Sequence, residues 1–215
     1  CGGGNETPAG DTGGENPAAK GKRQFISIGT ATPGGTFTAV GEAISIVVDA
    51  GKGDLNWVVS AEATKGTKEN IRRLEAGDIQ FGMANAAISY FAVKGEGWDK
   101  AYGIRAVATL APNIGVFITP KGSGITTIAD FKGKRVVLGP AGAGFDFFLR
   151  PLLTAHGITY EDLTEQNAGY SAAVDMLADG KADAAVMCGA TPIGAVTRAC
   201  PTQNIGLSLL NTCRR

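Results

Sequence analysis

The sequence predicts an α/β chain of two lobes, each a mostly parallel sheet flanked by helices, with a hinge between them. Three observations carry that expectation. Short apolar and β-branched runs alternate with amphipathic helical patterns from Gln24 onward, the pattern of parallel sheets covered on both faces. Two of the strand-like runs pass into glycine-rich turns that open helices: I-S-I-G-T-A-T-P-G-G-T-F at 26–37 and R-V-V-L-G-P-A-G-A-G-F at 135–145. An amphipathic helix closed by glycine, then aspartate, then a buried strand occurs twice, as N-I-R-R-L-E-A-G-D-I-Q-F-G-M-A at 70–84 and V-D-M-L-A-D-G-K-A-D-A-A-V-M at 174–187. Singly, that arrangement is ordinary α/β punctuation. One copy falls in each proposed lobe.

Taken in order, strand 24–28 stops at Gly29, and helix 37–50 follows the Thr/Pro/Gly turn. Strand 56–61, helix 67–76 and strand 79–84 come next, with Gly77 as the stop signal between the last two. Residues 85–93 read as a short helix and 94–101 as a polar loop. Two strands, 105–110 and 114–119, are broken by Ala111-Pro112-Asn113. A helical turn at 127–131 precedes strand 135–138, helices 145–155 and 169–179, strand 182–187, helix 192–199 and strand 205–210. The Pro-containing break at 111–113 is expected to be one crossing between lobes. The second crossing is expected between Ala199 and Gln203, around Pro201. The resulting division is a tether at 1–23, lobe 1 at 24–111, lobe 2 at 112–200, and a truncated return toward lobe 1 at 201–215.

Composition narrows the function. With 215 residues, 44% hydrophobic and 19% charged, the chain can bury a core in one or two lobes. Lys+Arg equals Asp+Glu at 20 each, so no global field draws it to nucleic acid or a membrane surface. No window is long and apolar enough to span a bilayer. The numbering begins at Cys1 rather than Met, and Cys1-Gly2-Gly3-Gly4 leads into a polar Gly/Pro/Asn-rich tract with no apolar period. Such a tract cannot bury enough surface to offset its ordering entropy and is expected to be a disordered tether. A cysteine at the head of a flexible tether resembles a mature bacterial lipoprotein, in which Cys1 carries the lipid. Three cysteines remain, with Cys200 and Cys213 able to pair across the last strand and Cys188 left as a thiol.

The residues for enzyme chemistry are thin. The single His156 sits in A-H-G-I at a helix end, suited to capping or the surface. Cys188, Cys200 and Cys213 lack C-x-x-C spacing, so no metal site is expected. Neither a G-x-S-x-G elbow nor a G-K-[ST] phosphate loop is present, and 29–34 lacks the second glycine of the dinucleotide fingerprint. The expectation is no catalytic residue, no metal and no cofactor.

Binding chemistry is supplied by the turns themselves. The first N–H groups of a helix are unpaired and carry partial positive charge, so a strand–turn–helix unit receives anions. Open sheets of this class bind ligands at the carboxyl ends of their strands. Candidates from lobe 1 are Thr30, Gly35, Thr36 and Phe37 at the first turn, Thr64 and Thr67 after the second strand, and Asn85 after the third. Lobe 2 offers Ala143, Gly144 and Phe145 at its glycine-rich turn, together with Tyr170 and Thr191. Hydroxyls, amides and helix N-termini can hold a carboxylate without a buried counter-charge. Each threonine can equally be an ordinary N-cap, and Phe145 can equally be core.

Specific motifs add to this reading. I-G-T-A-T-P-G-G-T-F-T-A-V-G-E-A-I at 28–44 and E-A-T-K-G-T-K-E-N-I-R-R-L-E-A-G-D-I-Q-F-G-M-A-N at 62–85 resemble the TAXI family of TRAP-transporter solute receptors. So do F-I-T-P-K-G-S-G-I-T-T-I-A-D-F-K-G-K-R-V-V-L-G-P-A-G-A-G at 117–144 and D-M-L-A-D-G-K-A-D-A-A-V-M-C-G-A-T-P at 175–192. The run I-A-D-F-K-G-K-R-V is shared by many type II periplasmic-binding folds. The resemblance implies that fold and a monomeric receptor closing on a small carboxylate: a glutamate-like amino acid, a dicarboxylate or a keto acid. It further implies delivery to TRAP membrane subunits, a periplasmic or cell-surface location, and membrane attachment only through the lipid. A ligand-sensing lipoprotein uncoupled from transport and a transferase on the same fold are the alternatives. Two departures stand out. Ala143-Gly144-Phe145 replaces a Ser-Gly-Thr-like run, which implies a less polar ligand, and this chain stops at Arg215 without the further helices such receptors carry.

Overall fold

The computed structural model describes residues 22–202 and 205–207, with side chains through Arg198. Residues 1–21 of the tether, with Cys1, and Cys213 lie outside the described residues, as does the side chain of Cys200. Two sheets organise the chain, one of three strands and one of five.

In the first lobe, β1 (Gln24–Gly29) pairs in parallel with β2 (Trp57–Glu62) over six residues each, and with β3 (Phe81–Gly82), giving the order β2-β1-β3. Helix α1 (Thr36–Gly51) connects β1 to β2, α2 (Thr67–Ala76) connects β2 to β3, and α3 (Ala86–Lys94) follows. The end of α2 is set by Gly77 at φ 80°, whose N–H donates to the Arg73 and Leu74 carbonyls. A left-handed cap of this kind has almost no cost only for glycine. Asn70 locks the lobe from inside α2. Its fully buried Nδ2 donates to the carbonyls of Gly29, Thr30 and Met83, tying the ends of β1 and β3 to the helix.

Two expectations in this lobe differ from the structure. Strand 79–84 shortens to Phe81–Gly82, because only Ile28 and Gly29 of β1 lie opposite it. Residues 105–110 form no strand. Val107 is 80% exposed, and among the described residues no strand lies alongside to accept the hydrogen bonds its alternating pattern offers.

The second lobe begins with β4 (Ile114–Pro120). Then come β5 (Arg135–Val137), α4 (Asp146–Ala155), β6 (Thr164–Gln166), α5 (Tyr170–Ala178), β7 (Ala184–Gly189), α6 (Gly194–Thr202) and β8 (Ile205–Leu207). The order is β6-β5-β7-β4-β8, with β5 parallel to both its neighbours and β4 antiparallel to both of its own. One-turn helices at Ile128–Phe131 and Tyr160–Asp162 open with capping boxes, Thr127 with Asp130 and Thr159 with Asp162. Strand period places alternate residues on opposite faces. Val116, Ile118, Val137, Ala185 and Met187 pack under α5 and α6, while Phe117, Val136, Ala184 and Val186 pack with Leu149 and Leu153 of α4 and with Phe131.

Of the return expected over 201–215, residues 203–204 and 208–215 lie outside the described residues, and the rest stays with this sheet. Helix α6 runs through Pro201 and Thr202, and β8 adds to the free edge of β4 instead of crossing back. Pro201 falls in the last helical turn, just before the helix ends at Thr202. The crossing between Ala199 and Gln203 is therefore not made by that segment.

Candidate functional site

The carboxyl ends of β1 and β2 and the turn after β5 open into one cleft between the lobes. From lobe 1 its wall takes Ala31, Thr32, Gly35, Thr36 and Phe37, then Lys65, Gly66 and Thr67, then Asn85 and Ile88. From lobe 2 come Pro140, Ala143, Phe145 and Phe148, then Tyr170 and Cys188, with Asn113 where the chain enters β4.

These residues converge because five helices begin there. Helices α1, α2, α4 and α5 start after Gly35, Gly66, Phe145 and Gly169, and none has a side-chain hydrogen bond capping its N-terminus. In α1, α2 and α5 the first N–H groups are left for solvent or ligand, whereas in α4 Phe147 N and Phe148 N already donate to Gly144 O and Phe145 O at 3.2 Å. Only α3 is capped by a side chain, the Asn85 Oδ1 accepting from Ala87 N at 2.9 Å and Ile88 N at 3.3 Å. That assignment leaves the Asn85 Nδ2 as a donor on the cleft wall.

The twelve expected binding residues divide. Gly35, Thr36, Phe37, Thr67, Asn85, Ala143, Phe145 and Tyr170 line the cleft. Thr30, Thr64, Gly144 and Thr191 do not. Thr30 is buried, with its N–H and hydroxyl both donating to the Glu62 carbonyl at 2.8 Å. Thr64 donates to the Thr30 carbonyl at 3.0 Å and accepts from Gly66 N. Gly144 packs against Ile88, and Thr191 is exposed. The Thr30 and Thr64 hydroxyls are thus already used to hold strand ends.

The hydroxyls that do reach the cleft are not equivalent. Thr36 gives its one proton across the lobes to the Ala190 carbonyl at 2.9 Å. Thr67 accepts from Asn85 N at 3.0 Å, which keeps its own proton free. Beside the Thr36 contact, Ala195 N of α6 donates to the Gly34 carbonyl at 3.1 Å, so the two lobes are stitched along this side. Tyr170 is buried, and its OH donates to Cys188 O at 2.7 Å while accepting from Cys188 N at 2.8 Å.

The cleft carries no negative charge. Lys65 is the charged residue among those lining it, and no aspartate or glutamate does so. Burial pushes the Cys188 thiol up to about 12 and the Tyr170 phenol above its usual range, so both stay neutral. Lysine and converging helix N-termini favour an anion along the wall, with Glu69 and Asp146 standing in the first turns of α2 and α4 without lining the cleft. Asn113 adds an Oδ1 that is buried without a hydrogen-bond partner among the described residues. Sequence reasoning missed Lys65, Asn113 and Cys188. Lys65 had a signal, as the cation inside the A-T-K-G-T turn. His156 caps the end of α4, away from the cleft. Among the described residues no cluster of three or more metal-binding side chains occurs.

Solved structures share this architecture at low sequence identity. The alkanesulfonate-binding protein SsuA from Xanthomonas axonopodis pv. citri, bound to MOPS, matches with a TM-score of 0.58 at 17% identity, over 86% of this chain and 60% of that one. A binding protein component of an ABC phosphonate transporter from Pseudomonas aeruginosa matches at TM-score 0.60 and 14% identity, over 87% of this chain and 65% of that one. An ancestral arginine-binding protein bound to arginine matches at TM-score 0.58 and 15% identity, over 86% and 78%. The chain thus spans less than two thirds of the sulfonate- and phosphonate-type proteins, and at these identities the likeness concerns the fold. That fold is the two-lobed periplasmic-binding-protein architecture. Across residues 28–212 the sequence itself matches one family, and the chain belongs to it: the NMT1-like family.

Proposed function

We propose that this protein is an extracytoplasmic receptor that captures a small anionic solute in the cleft and hands it to a membrane transporter. One observation carries the reading: four helix N-termini without side-chain caps, one lysine and no carboxylate line a single cleft between two lobes. A carboxylate is the anion this set suits, held by the backbone N–H groups that open α1 and α2, the Thr67 hydroxyl, the Asn85 Nδ2 and Lys65. Phe37, Phe145 and Phe148 then meet an apolar body, consistent with the Ala143-Gly144-Phe145 turn. Sulfonates and phosphonates share the anionic chemistry, as the ligands named for the fold neighbours illustrate. A cation such as arginine finds no carboxylate here.

Calorimetric titration with carboxylates, keto acids, amino acids, alkanesulfonates, phosphonates and arginine tests this. An anion is expected to bind best. Losing a hydrogen bond to a charged group costs about 1.5–3 kcal/mol, roughly ten- to a hundredfold in affinity, and that is the expectation for Thr67→Val. Tightest binding of a cation, or an unaffected Thr67→Val, contradicts the reading.

Coupling to a TRAP-type transporter rests on the motif resemblance, whereas the named fold neighbours include a component of an ABC phosphonate transporter. Uptake into vesicles carrying the neighbouring membrane subunits separates the two: an ion gradient drives the first and ATP the second. Anchoring through Cys1 belongs to the same proposal. One acyl chain gives marginal attachment and stable anchoring needs a second signal. An unmodified Cys1 peptide from native membranes, read by mass spectrometry, would remove the anchor.

A further inference from the structure

Away from the cleft, the lobes meet a second time. Phe147, the second residue of α4, lies in a slot made entirely by lobe 1. Its ring stacks on Phe91 of α3, with centroids 5.6 Å apart and planes at 16°, and on Trp98 of the following loop at 5.9 Å and 21°. Lys68 of α2 places its ammonium 5.3 Å from the Phe147 ring and 5.6 Å from that of Trp98. Tyr102 backs the slot, edge-on to Trp98 at 5.1 Å. Gly97 forms its near wall, where a Cβ would stand 2.9 Å from the Phe147 ring and φ is 72°. None of Phe91, Gly97, Trp98 or Phe147 lines the cleft.

We infer that Phe147 is a latch that sets how much of the protein has its lobes apposed. The slot is filled only when α4 of one lobe reaches α3 and the 95–99 loop of the other, so the stacking energy of Phe147 belongs to the closed arrangement alone. Two aromatic pairs and a cation–π contact, each worth about two- to tenfold, bias the equilibrium together. A ligand that needs both lobes binds with an apparent affinity scaled by the closed fraction. The bearing on affinity rests on the receptor reading above; the latch itself does not, and its test uses no ligand.

Amide hydrogen exchange on the full chain reads closure at the opposite seam. The Ala195 N–H has its partner, Gly34 O, in the other lobe, so its protection reports apposition. Phe147→Ala is expected to cut that protection by roughly ten- to a hundredfold. The β7 amides paired with β4, such as Val186, should keep theirs. Phe147→Tyr, which retains the ring, should restore it. Gly97→Ala attacks the slot from lobe 1, on an exposed loop, and should lower Ala195 protection in the same way. Unchanged Ala195 exchange in either variant overturns the latch. So does an equal loss at Val186, which would mean that lobe 2 loosens as a whole.

Discussion

Replacing Tyr170 by Phe removes one oxygen and should expose how the floor of the cleft is held. That oxygen serves both backbone groups of Cys188, accepting from its N–H at 2.8 Å and donating to its carbonyl at 2.7 Å. Two hydrogen bonds of about 1 kcal/mol each are lost, and each orphaned backbone group adds about 1–3 kcal/mol if it stays dry. Cys188 borders the cleft, so water can reach part of this site, and the expected destabilisation is about 2–4 kcal/mol. For a chain of this size that lowers the melting temperature by about 4–16 °C. Urea denaturation of parent and variant measures it, with the slope of the transition expected to stay constant. The ring still fills the space beside Gly35 and Phe145, so no cavity term enters. A change under about 0.5 kcal/mol, the level of an indifferent surface substitution, would refute the idea that this phenol pins α5 to β7.

Two further outcomes are expected. Gly189→Ala places a Cβ 2.6 Å from the Thr36 hydroxyl, 0.8 Å inside the 3.4 Å of ordinary contact, and should wedge the lobes apart. Small-angle scattering should show a larger radius of gyration, and Thr36→Ala in the same chain should reverse it; an unchanged radius contradicts the wedge. Stability should fall at both extremes of pH. Arg135 lowers the Asp183 carboxyl below its ordinary 3.8, and backbone N–H groups in the capping boxes lower Asp130 and Asp162. For these the unfolded state binds more protons, so their contribution is full above about 4 and lost as pH drops through the folded values. Burial raises Tyr160 from 10.0 to about 12 and Tyr170 also upward, so the unfolded state loses protons first and stability declines above pH 10. Denaturation midpoints at acid, neutral and alkaline pH check both signs; a midpoint that rises on either side contradicts them.

Much of the fold was legible because local chemistry agreed with the tertiary structure. Helix 67–76 has the expected bounds, since the Gly66 turn and the left-handed Gly77 stop it from both ends. The strand–turn–helix unit at 24–51 and its counterpart at 135–155 were legible for the same reason. What escaped was non-local. R-A-V-A-T-L at 105–110 alternates like a strand but meets no partner among the described residues, whereas T-E-Q at 164–166 has little strand character and forms β6 because β5 offers an edge. Docking of β8 on β4 is likewise a matter of which edge stands open. Threonines in the turns pointed to the cleft, but their patterns are identical whether the hydroxyl faces into it or holds a carbonyl. Thr30 and Thr64 hold carbonyls, and Thr67 faces the cleft. That distinction depends on where β2 ends relative to β1, which residue types do not encode.

The central claim is that one small anion sits among converging helix N-termini. A crystal structure of the full chain with the tightest-binding solute from the calorimetric panel tests it most directly. The account predicts the anionic group within hydrogen-bond distance of the backbone N–H groups opening α1 or α2 and of the Thr67 hydroxyl, with Lys65 at the mouth. An anionic group bound outside the cleft, or turned toward the solvent with the apolar end at those N-termini, would contradict it.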